Sequence, residues 1–472
     1  MVFSSLSFLL LFLPTLYLLL FLSPSPRWRN GVLVGMSLLF YAWGEPVWIL
    51  AMLLSTAVNF FCAGRIDEAR SDRARKLYLT VGVIASVVFL FYFKYAAFLF
   101  NSVTELFGLP QRMTAPRLPI GISFYTFQIL TYTVDVYRGK APRQTNFFRL
   151  LLYISCFPQL IAGPIVQYAD VADQLERRRV TPDRFTRGMR RFIIGLAKKV
   201  LLANICGAAL EKLPLGGADA AMSVLGAWLA AFLYTLQIYF DFSAYSDMAI
   251  GLGKTLGFSY KENFNYPYVS VSVTEFWRRW HISLGSFFRD YVYIPLGGNR
   301  RGSARTALNL CIVWALTGLW HGASWNFVLW GLYYAVLLLL ERFALKDLLE
   351  RTPKALRRAS TFVLVMIGWV IFYYTDFGAL REHLAALVGV GAQGGLLPLI
   401  DAQTVSVLKK YTVYPLLAFL LSLPVLPALK SAWRGSNRLR LAAENLTCVL
   451  LLAVSLIFLI GQSYNPFIYF RF

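Results

Sequence analysis

The sequence predicts an all-α, polytopic integral membrane protein. Of its 472 residues, 58% are hydrophobic and only 15% are charged, a balance that soluble globular domains rarely have. Several apolar runs approach the ~20 residues that an α-helix needs to cross a hydrocarbon core of about 30 Å. Most cationic residues stand in short stretches between these runs, as they do in cytoplasmic loops.

Ten runs are predicted to cross the membrane. The first is followed by Arg27 and Arg29, so the positive-inside rule places the N-terminus outside the cytoplasm. Basic and weakly charged loops then alternate along the chain, and the C-terminus is expected on the external face as well. The predicted spans are 6–22, 31–44, 48–63, 77–100, 119 to the Arg138 loop, 192–209, 221–250, 361–374, 413–426 and 446–460.

Two further apolar segments have basic residues at both ends. Segment 150–166 contains Pro158 and Gly163-Pro164, which predicts a broken, re-entrant segment that forms a cavity wall. Runs 308–320 and 327–340 predict a hairpin with His321 at its turn. At 1.5 Å per residue its arms reach only ~20 to 25 Å, which places His321 deep in the membrane.

Composition also excludes several classes of function. The formal net charge is +22, but the cations are not gathered on a soluble domain, so lipid and not nucleic acid is the expected partner. The five cysteines stand singly without CxxC spacing, which argues against disulfides. The three histidines lack a neighbouring carboxylate cluster, so no metal site is expected.

His321 is the best catalytic candidate. An ionisable side chain is costly in hydrocarbon and is kept there mainly for function. A neutral imidazole can take a proton from a hydroxyl or thiol, which suits general-base acyl transfer. The alternative is a buried histidine that a neighbour satisfies. By contrast, His383 falls in a predicted external loop, 376–407, and is expected to be dispensable.

A polar and aromatic stretch before the hairpin contains the second histidine, His281. Ser272 to Glu275 has capping-box spacing, and aromatic and apolar residues then follow a three-and-four repeat through Tyr291. This pattern predicts an amphipathic helix in the membrane interface. It is either a plain anchor or, with Arg278 and Arg279, the entrance for an anionic, nucleotide-linked donor.

Two carboxylates, Asp241 and Asp247, lie near the cytoplasmic end of span 221–250. They are either hydrogen-bonded helix-packing residues, or they orient an imidazole or pair with an interfacial arginine.

Six motifs in order resemble those of the bacterial members of the membrane-bound O-acyltransferase (MBOAT) family. They are PIGISFYTFQ at 119–128, FPQLIAGP at 157–164, DFSAYSD at 241–247, FWRRWH at 276–281, YIPLGGNR at 293–300 and GLWHG at 318–322. The resemblance covers nearly the whole chain. It implies one MBOAT membrane domain, 1–472, with re-entrant and interfacial helices around a central channel. Its parts are N-terminal spans 1–118, a catalytic core 119–341, and C-terminal spans with an external tail 342–472.

The resemblance also implies the roles of residues. His321 corresponds to the family's invariant catalytic histidine and His281 to its second, more variable polar position. The donor is cytoplasmic acetyl-CoA, with no tightly bound cofactor. Further cavity or donor-binding candidates are Asp241, Asp247, Trp277, Arg278, Arg279, Trp280, Asn299, Arg300 and Trp320.

The C-terminal segment, residues 467–472, is similar to the FxYxxF pattern of these acylation systems. That likeness implies that Tyr469 accepts the acyl group before an extracytoplasmic SGNH-type transferase takes it. The expected outcome is O-acetylation of an alginate-like exopolysaccharide or peptidoglycan outside the bacterial inner membrane. Transfer of D-alanyl or another acyl group, a non-catalytic exporter, and a tail that is only an interfacial anchor remain as alternatives.

Overall fold

A computed structural model describes residues 1–214, 222–391, 394–433, 435–461 and 467–468. Within these ranges the regular structure is helical, and β pairing is confined to one bridge between Val390 and Leu396. The all-α prediction is confirmed. Helices suit a bilayer because they satisfy their backbone N–H and C=O groups internally.

The chain forms two compact units, and the first consists of Met1–Gly195 and Tyr245–Lys261. The long helices Pro182–Ala197 and Val224–Thr255 have residues in both units. The remaining helices of the first unit are Phe8–Phe12 (π), Leu13–Phe21, Pro26–Ala42, Ile49–Glu68, Asp72–Leu90, Phe91–Tyr95 (π), Ala96–Leu106, Ile122–Tyr137, Phe147–Ser155, Phe157–Leu160 and Tyr168–Glu176.

The second unit consists of Leu196–Ala244 and Glu262–Phe472. It contains both histidines of the predicted site. Its remaining helices are Lys198–Ala203 (π), Asn204–Leu210, Pro267–Val269 (3-10), Val273–Arg279, Ile282–Phe288, Arg289–Tyr293 (π), Gly302–His321, Trp325–Phe343, Lys346–Arg351, Lys354–Tyr373, Phe377–Leu387, Ala402–Tyr411, Val413–Ser422, Val425–Ala432 and Asn437–Gly461. The predicted division into one domain with three parts stays a prediction.

Seven helices in the described ranges are long and apolar enough to cross a membrane, or eight if the bent pair Ala402–Tyr411 and Val413–Ser422 is one span. This number is below the ten predicted spans. Two of the ten correspond to Pro26–Ala42 and Ile122–Tyr137, which have 17 and 16 residues. Both are shorter than the ~20 residues of a full crossing.

The predicted break in segment 150–166 is confirmed. The helix Phe147–Ser155 ends at Cys156, and a single turn, Phe157–Leu160, precedes a stretch without helix. Every residue from 150 to 166 is buried, so protein covers the interrupted backbone, as it must within a membrane. That the segment is re-entrant stays a prediction.

The predicted external loop 376–407 is not an irregular loop, because it contains the helix Phe377–Leu387 and most of Ala402–Tyr411. Its external position stays a prediction. His383 lies on the buried face of the first of these helices. Its Nδ1 is 2.8 Å from the Tyr374 hydroxyl, and its Nε2 is 3.0 Å from the carbonyl oxygen of Ala227. His383 is therefore a packed structural residue and not a loop residue.

Candidate active site

His321 is the last residue of the first helix in a close-packed helical hairpin. This histidine hairpin consists of Gly302–His321 and Trp325–Phe343. A Cβ atom at Gly318 would lie 2.1 Å from the backbone oxygen of Phe327, and one at Gly331 would lie 2.2 Å from that of Trp314. Two glycines thus bring the helix backbones into contact, as small residues do in membrane helix pairs.

The hairpin arms are longer than the sequence predicted. They have 20 and 19 residues, which is about 30 Å at 1.5 Å per residue, so the predicted reach was too short. The reason is that the polar stretch 302–307 is helical and extends the first arm. Of the two arms, only Trp325–Phe343 is among the helices long and apolar enough to cross a membrane, and the depth of His321 in the membrane stays a prediction.

Aromatic rings surround His321, which is only 8% exposed. Its imidazole centroid lies 5.0, 5.1 and 5.2 Å from the ring centroids of Trp320, Trp330 and Phe372. These rings shield the imidazole from bulk water on the faces that they cover.

His281 lies in a second structure, the short helix pair Val273–Arg279 and Ile282–Phe288. The Ser272 hydroxyl accepts a hydrogen bond from the N–H of Glu275, which confirms the predicted helix start. Glu341 of the histidine hairpin adds a second cap, since its carboxylate accepts from the N–H groups of Val273 and Thr274 at 2.5 and 2.9 Å. A carboxylate at a helix N-terminus is favourable, so the hairpin and the short pair are firmly joined.

The prediction of one continuous amphipathic helix is wrong, because the short pair breaks at Trp280-His281. His281 has a backbone φ of 43°, a left-handed conformation that costs a residue other than glycine ~1 to 3 kcal/mol and tends to occur at functional sites. The break turns both side chains inward, and His281 is only 1% exposed.

The hydrogen bonds of His281 define its tautomer. Its Nδ1 lies 3.3 Å from the side-chain oxygen of Asn263. That oxygen also accepts from the backbone N–H of Ser283 at 3.1 Å, which fixes the orientation of the amide. Since an amide oxygen only accepts, Nδ1 carries the proton and Nε2 keeps a lone pair. Nε2 is buried, and no residue in the described part of the chain bonds to it.

Burial also controls the charge of His281. This residue lies outside the helices that qualify as membrane spans, and burial lowers its pKa to about 3. The imidazole is therefore neutral at physiological pH and can act as an acceptor or base.

One indole contacts both histidines. The Trp320 ring centroid is 5.7 Å from that of His281 and 5.0 Å from that of His321. Phe242 lies on another side of His281, with its ring centroid at 4.6 Å. The two imidazoles thus share contact with a single aromatic side chain.

A cavity of about 800 Å³ leads to His281, and we call it the basic cavity. Trp277, Trp280 and Thr317 also line its wall, whereas His321 is not among its lining residues in the described ranges. Its volume falls within the ~300 to 1,000 Å³ of small-molecule sites. The charged lining residues are Arg278, Arg289, Arg342, Lys346 and Arg357, with Glu341 and Glu350.

The two arginines of the FWRRWH motif have different environments. Arg279 pairs with Glu275 at 2.8 Å and donates to the carbonyl oxygen of Asn265, so it stabilises the short helix pair. Arg278 is exposed at the basic cavity and makes no ion pair or hydrogen bond with the described residues. Arg278 is thus a cation available to an anionic ligand.

The YIPLGGNR motif contributes less to the cavity than expected. Asn299 accepts hydrogen bonds from the hydroxyl of Tyr293 and from Arg342 at 3.1 Å, and both donors line the cavity. Arg300 is exposed, and it is not among the lining residues. Asn299 therefore orients two residues of the cavity wall and does not line the cavity itself. Arg300 has no contact with the cavity.

The two predicted carboxylates have separate cationic partners. Asp247 accepts two hydrogen bonds from Arg191, at 3.0 and 2.8 Å, which is the predicted pairing with an arginine. Asp241 pairs with Lys199 at 2.6 Å, an ion pair that sequence reasoning missed. The signal for it was a lysine within an apolar run.

The acceptor candidate, Tyr469, lies outside the described residues. Phe467 and Ile468, just before it, are described and are buried. The N–H of Ile468 donates to the second carboxylate oxygen of Asp241 at 2.7 Å.

The structure thus describes a protein of apolar helices with a basic cavity that reaches the buried His281, and with a second buried histidine, His321, beside the same Trp320 ring. Residues 137–377 match the model of MBOAT, the membrane-bound O-acyltransferase family, and the chain belongs to this family. It is therefore a multi-pass membrane protein and an O-acyltransferase.

Three relatives illustrate the range of its similarity. The chain is 39% identical to a protein of Azotobacter vinelandii named probable alginate O-acetylase AlgI, and all of both chains is covered. It is 32% identical to the peptidoglycan O-acetyltransferase of Helicobacter pylori, over 83% of this chain and 80% of the relative. It is 28% identical to the teichoic acid D-alanyltransferase of Bacillus subtilis, over 63% of this chain and 75% of the relative.

Proposed function

We propose that the protein transfers acetyl groups from cytoplasmic acetyl-CoA across the bacterial inner membrane for O-acetylation of an extracytoplasmic polysaccharide. The similarity to proteins named for alginate and peptidoglycan acetylation supports the class of acceptor. The observation that carries the proposal is the basic cavity, which has an available cation at Arg278 and the buried Nε2 of His281 at its wall.

The basic cavity fits the chemistry of the donor. Five cations and two carboxylates line it, an excess of positive charge that attracts the phosphates of a coenzyme A thioester. Arg278 is in addition free to form charge-assisted hydrogen bonds with a phosphate. Acetyl-CoA is the proposed donor substrate, and no resident cofactor is needed.

His321 is the proposed general base. Its imidazole takes the proton of an acceptor hydroxyl while the oxygen attacks the carbonyl carbon of the thioester. The new C–O bond forms, the C–S bond breaks, and the coenzyme A thiolate leaves and takes up a proton. His281, which has an unpartnered Nε2 and lines the basic cavity, is proposed to position the thioester or its attacking partner.

Tyr469 is the proposed first acceptor. A phenol has an unperturbed pKa of ~10, so it needs a base to attack a thioester at neutral pH. An aryl ester is a reactive acyl donor, which suits onward transfer by an extracytoplasmic SGNH-type enzyme. The distribution of Lys and Arg supports N- and C-termini in the periplasm, the side on which that enzyme would act.

The Bacillus relative favours one other acyl group. A D-alanyl thioester would use the same bases, and only the donor would differ. Comparing acetyl-CoA with a D-alanyl thioester as the donor distinguishes the two functions.

The proposed function predicts separate roles for His321 and Arg278. In the purified full-length protein in lipid nanodiscs, with radiolabelled acetyl-CoA, His321→Ala should lower acyl transfer by ~10² to 10⁴-fold. Arg278→Ala should raise the KM for acetyl-CoA with kcat nearly unchanged, because it removes a binding contact. Arg300→Ala is the matched control, since it removes an exposed cation outside the cavity. Near-normal transfer by His321→Ala would contradict the base, whereas absence of transfer by the unchanged protein would favour an exporter without chemistry.

A further inference from the structure

Asp241 is a buried carboxylate on the long helix Val224–Thr255, with only 2% of its surface exposed. Lys199, itself buried, compensates its charge at 2.6 Å from one oxygen. An unpaired charge in this position would be costly, so each member of the pair needs the other. Lys199 lies in the π-helical turn Lys198–Ala203, and π turns within α-helices occur frequently at functional sites.

The second oxygen of Asp241 has a different partner. It accepts the backbone N–H of Ile468 at 2.7 Å. The Ile468 side chain is also buried, and it belongs to the same hydrophobic core as Trp330 and Phe372, the rings that contact His321. The segment is thus fixed at a backbone atom as well as by its side chain.

The helix that precedes the C-terminal segment also packs near Lys199. Asn437–Gly461 packs against the π turn that carries Lys199. If Asp241 only paired with Lys199 to join two helices, its second carboxylate oxygen would not need a hydrogen-bond donor from the C-terminal segment. Here that oxygen satisfies a buried N–H group, which would otherwise lack a partner.

We infer that Asp241, paired with Lys199, is the docking residue for the C-terminal segment. It fixes the backbone at Ile468, one residue before Tyr469, in the hydrophobic core to which Trp330 and Phe372 also belong. Asp241 is a positioning residue, since its contact with the segment is to the backbone and not to a reacting atom. The effect on acyl transfer rests on the proposed function, whereas the docking itself does not.

Two double variants isolate the hydrogen bond. Lys199→Met with Asp241→Asn and Lys199→Met with Asp241→Leu both remove the ion pair without leaving a buried charge. Only the asparagine keeps an oxygen that can accept the Ile468 N–H. Hydrogen exchange of the C-terminal peptide, measured by mass spectrometry on the full-length protein in nanodiscs, should be at least tenfold faster in the leucine variant. Equal exchange in the two variants would overturn the docking.

Two single variants test the consequence for transfer. Ile468→Pro removes the N–H, whereas Ile468→Val keeps it and loses one methylene. Ile468→Pro should lower kcat for acylation of the C-terminal peptide at least tenfold and leave the KM for acetyl-CoA unchanged, while Ile468→Val should stay within twofold of the unchanged protein. Equal kcat values for the two variants would overturn the positioning role.

Tyr469→Phe separates this inference from the proposed acceptor. It should abolish acylation of the peptide and leave its hydrogen exchange as slow as before. A peptide that is acylated equally well without the hydroxyl would refute the acceptor, and the exchange measurement would still decide the docking.

Discussion

His281 combines three features that rarely occur together in one residue. Its backbone is left-handed, its side chain is buried, and its Nε2 has no partner in the described ranges although a cavity reaches it. A strained, desolvated imidazole costs stability, so it persists only where the surrounding structure holds it firmly. The side-chain oxygen of Asn263 does this by accepting a hydrogen bond from the Nδ1–H of His281, which fixes the tautomer.

His281→Gln should reduce the fall in melting temperature that accompanies acidification from pH 7.5 to pH 5.0. The unfolded chain binds a proton at His281 near pH 6.5, whereas burial lowers the folded pKa to about 3. The contribution of this group to the free energy of unfolding is therefore complete above pH 6.5, and it declines as the pH falls from 6.5 towards 3. Melting temperatures in detergent at pH 7.5 and 5.0 check this: the wild-type protein should lose more than the variant. Identical losses would show that His281 is protonated in the folded state.

The importance of a single residue was predictable where its side chain is unusual for its sequence environment. His321 and His281 stand out because histidine is rare in an apolar chain, and Arg278 because it follows a capping box. Lys199 within an apolar run indicated that it needs a partner, but the identity of that partner, Asp241, was not predictable because the two helices are distant in sequence. Asn263 was missed because a single asparagine in a polar stretch gives no sign that it will contact an imidazole.

At the scale of elements, glycine determines how close the arms of the histidine hairpin come. Gly318 and Gly331 lie where a side chain would meet the backbone of the opposite helix. The arms consequently pack by backbone contact, and the tip that carries His321 is held rigidly between Trp330 and Phe372.

Gly318→Ala should separate the hairpin and displace His321. The new Cβ would approach the backbone oxygen of Phe327 to 2.1 Å, and overpacking of this kind typically costs ~1 to 3 kcal/mol. Thermal stability by size-exclusion chromatography and acyl transfer should both fall. Gly35→Ala is the control, because a Cβ added there, on the helix Pro26–Ala42, would meet no atom within 4 Å. A Gly318→Ala protein as stable as this control would contradict the backbone contact.

Sequence patterns predicted the existence of elements better than their ends. The hairpin and the broken segment followed from apolar runs with basic residues at both ends. The break at Trp280-His281 did not follow, since the three-and-four repeat continues across it and only the tertiary contacts of His281 impose the turn. His383 was assigned to a loop because the amphipathic pattern of Phe377–Leu387 is short.

At the scale of the whole molecule, the proposed route requires opposite faces for donor and acceptor. The side of each loop comes from the distribution of Lys and Arg, and the described helices give lengths but not orientations. The face of the membrane from which the donor enters therefore follows from the orientation of the chain, which an experiment has to determine.

Single cysteines at two exposed positions test the orientation. Arg70→Cys is preferable to a change at Ser71, because the Ser71 hydroxyl caps the following helix. It should react with an impermeant thiol reagent only after the cells are permeabilised, whereas Gly395→Cys should react in intact cells. Gly395 has no atom within 4 Å of an added Cβ. The parent protein is the control for the five native cysteines, and the reverse pattern would place the donor on the other face.

The position of Trp320 has a consequence for the energy of the cell. An enzyme that passes a group from one face of a membrane to the other risks becoming a leak for protons and ions, whose electrical gradient is worth ~2.3 kcal/mol per charge for every 100 mV. The indole of Trp320 contacts both imidazoles, so it fills space beside each of them that water would otherwise occupy. On the proposed function, Trp320 would therefore limit the passage of protons and ions while an acyl group is transferred.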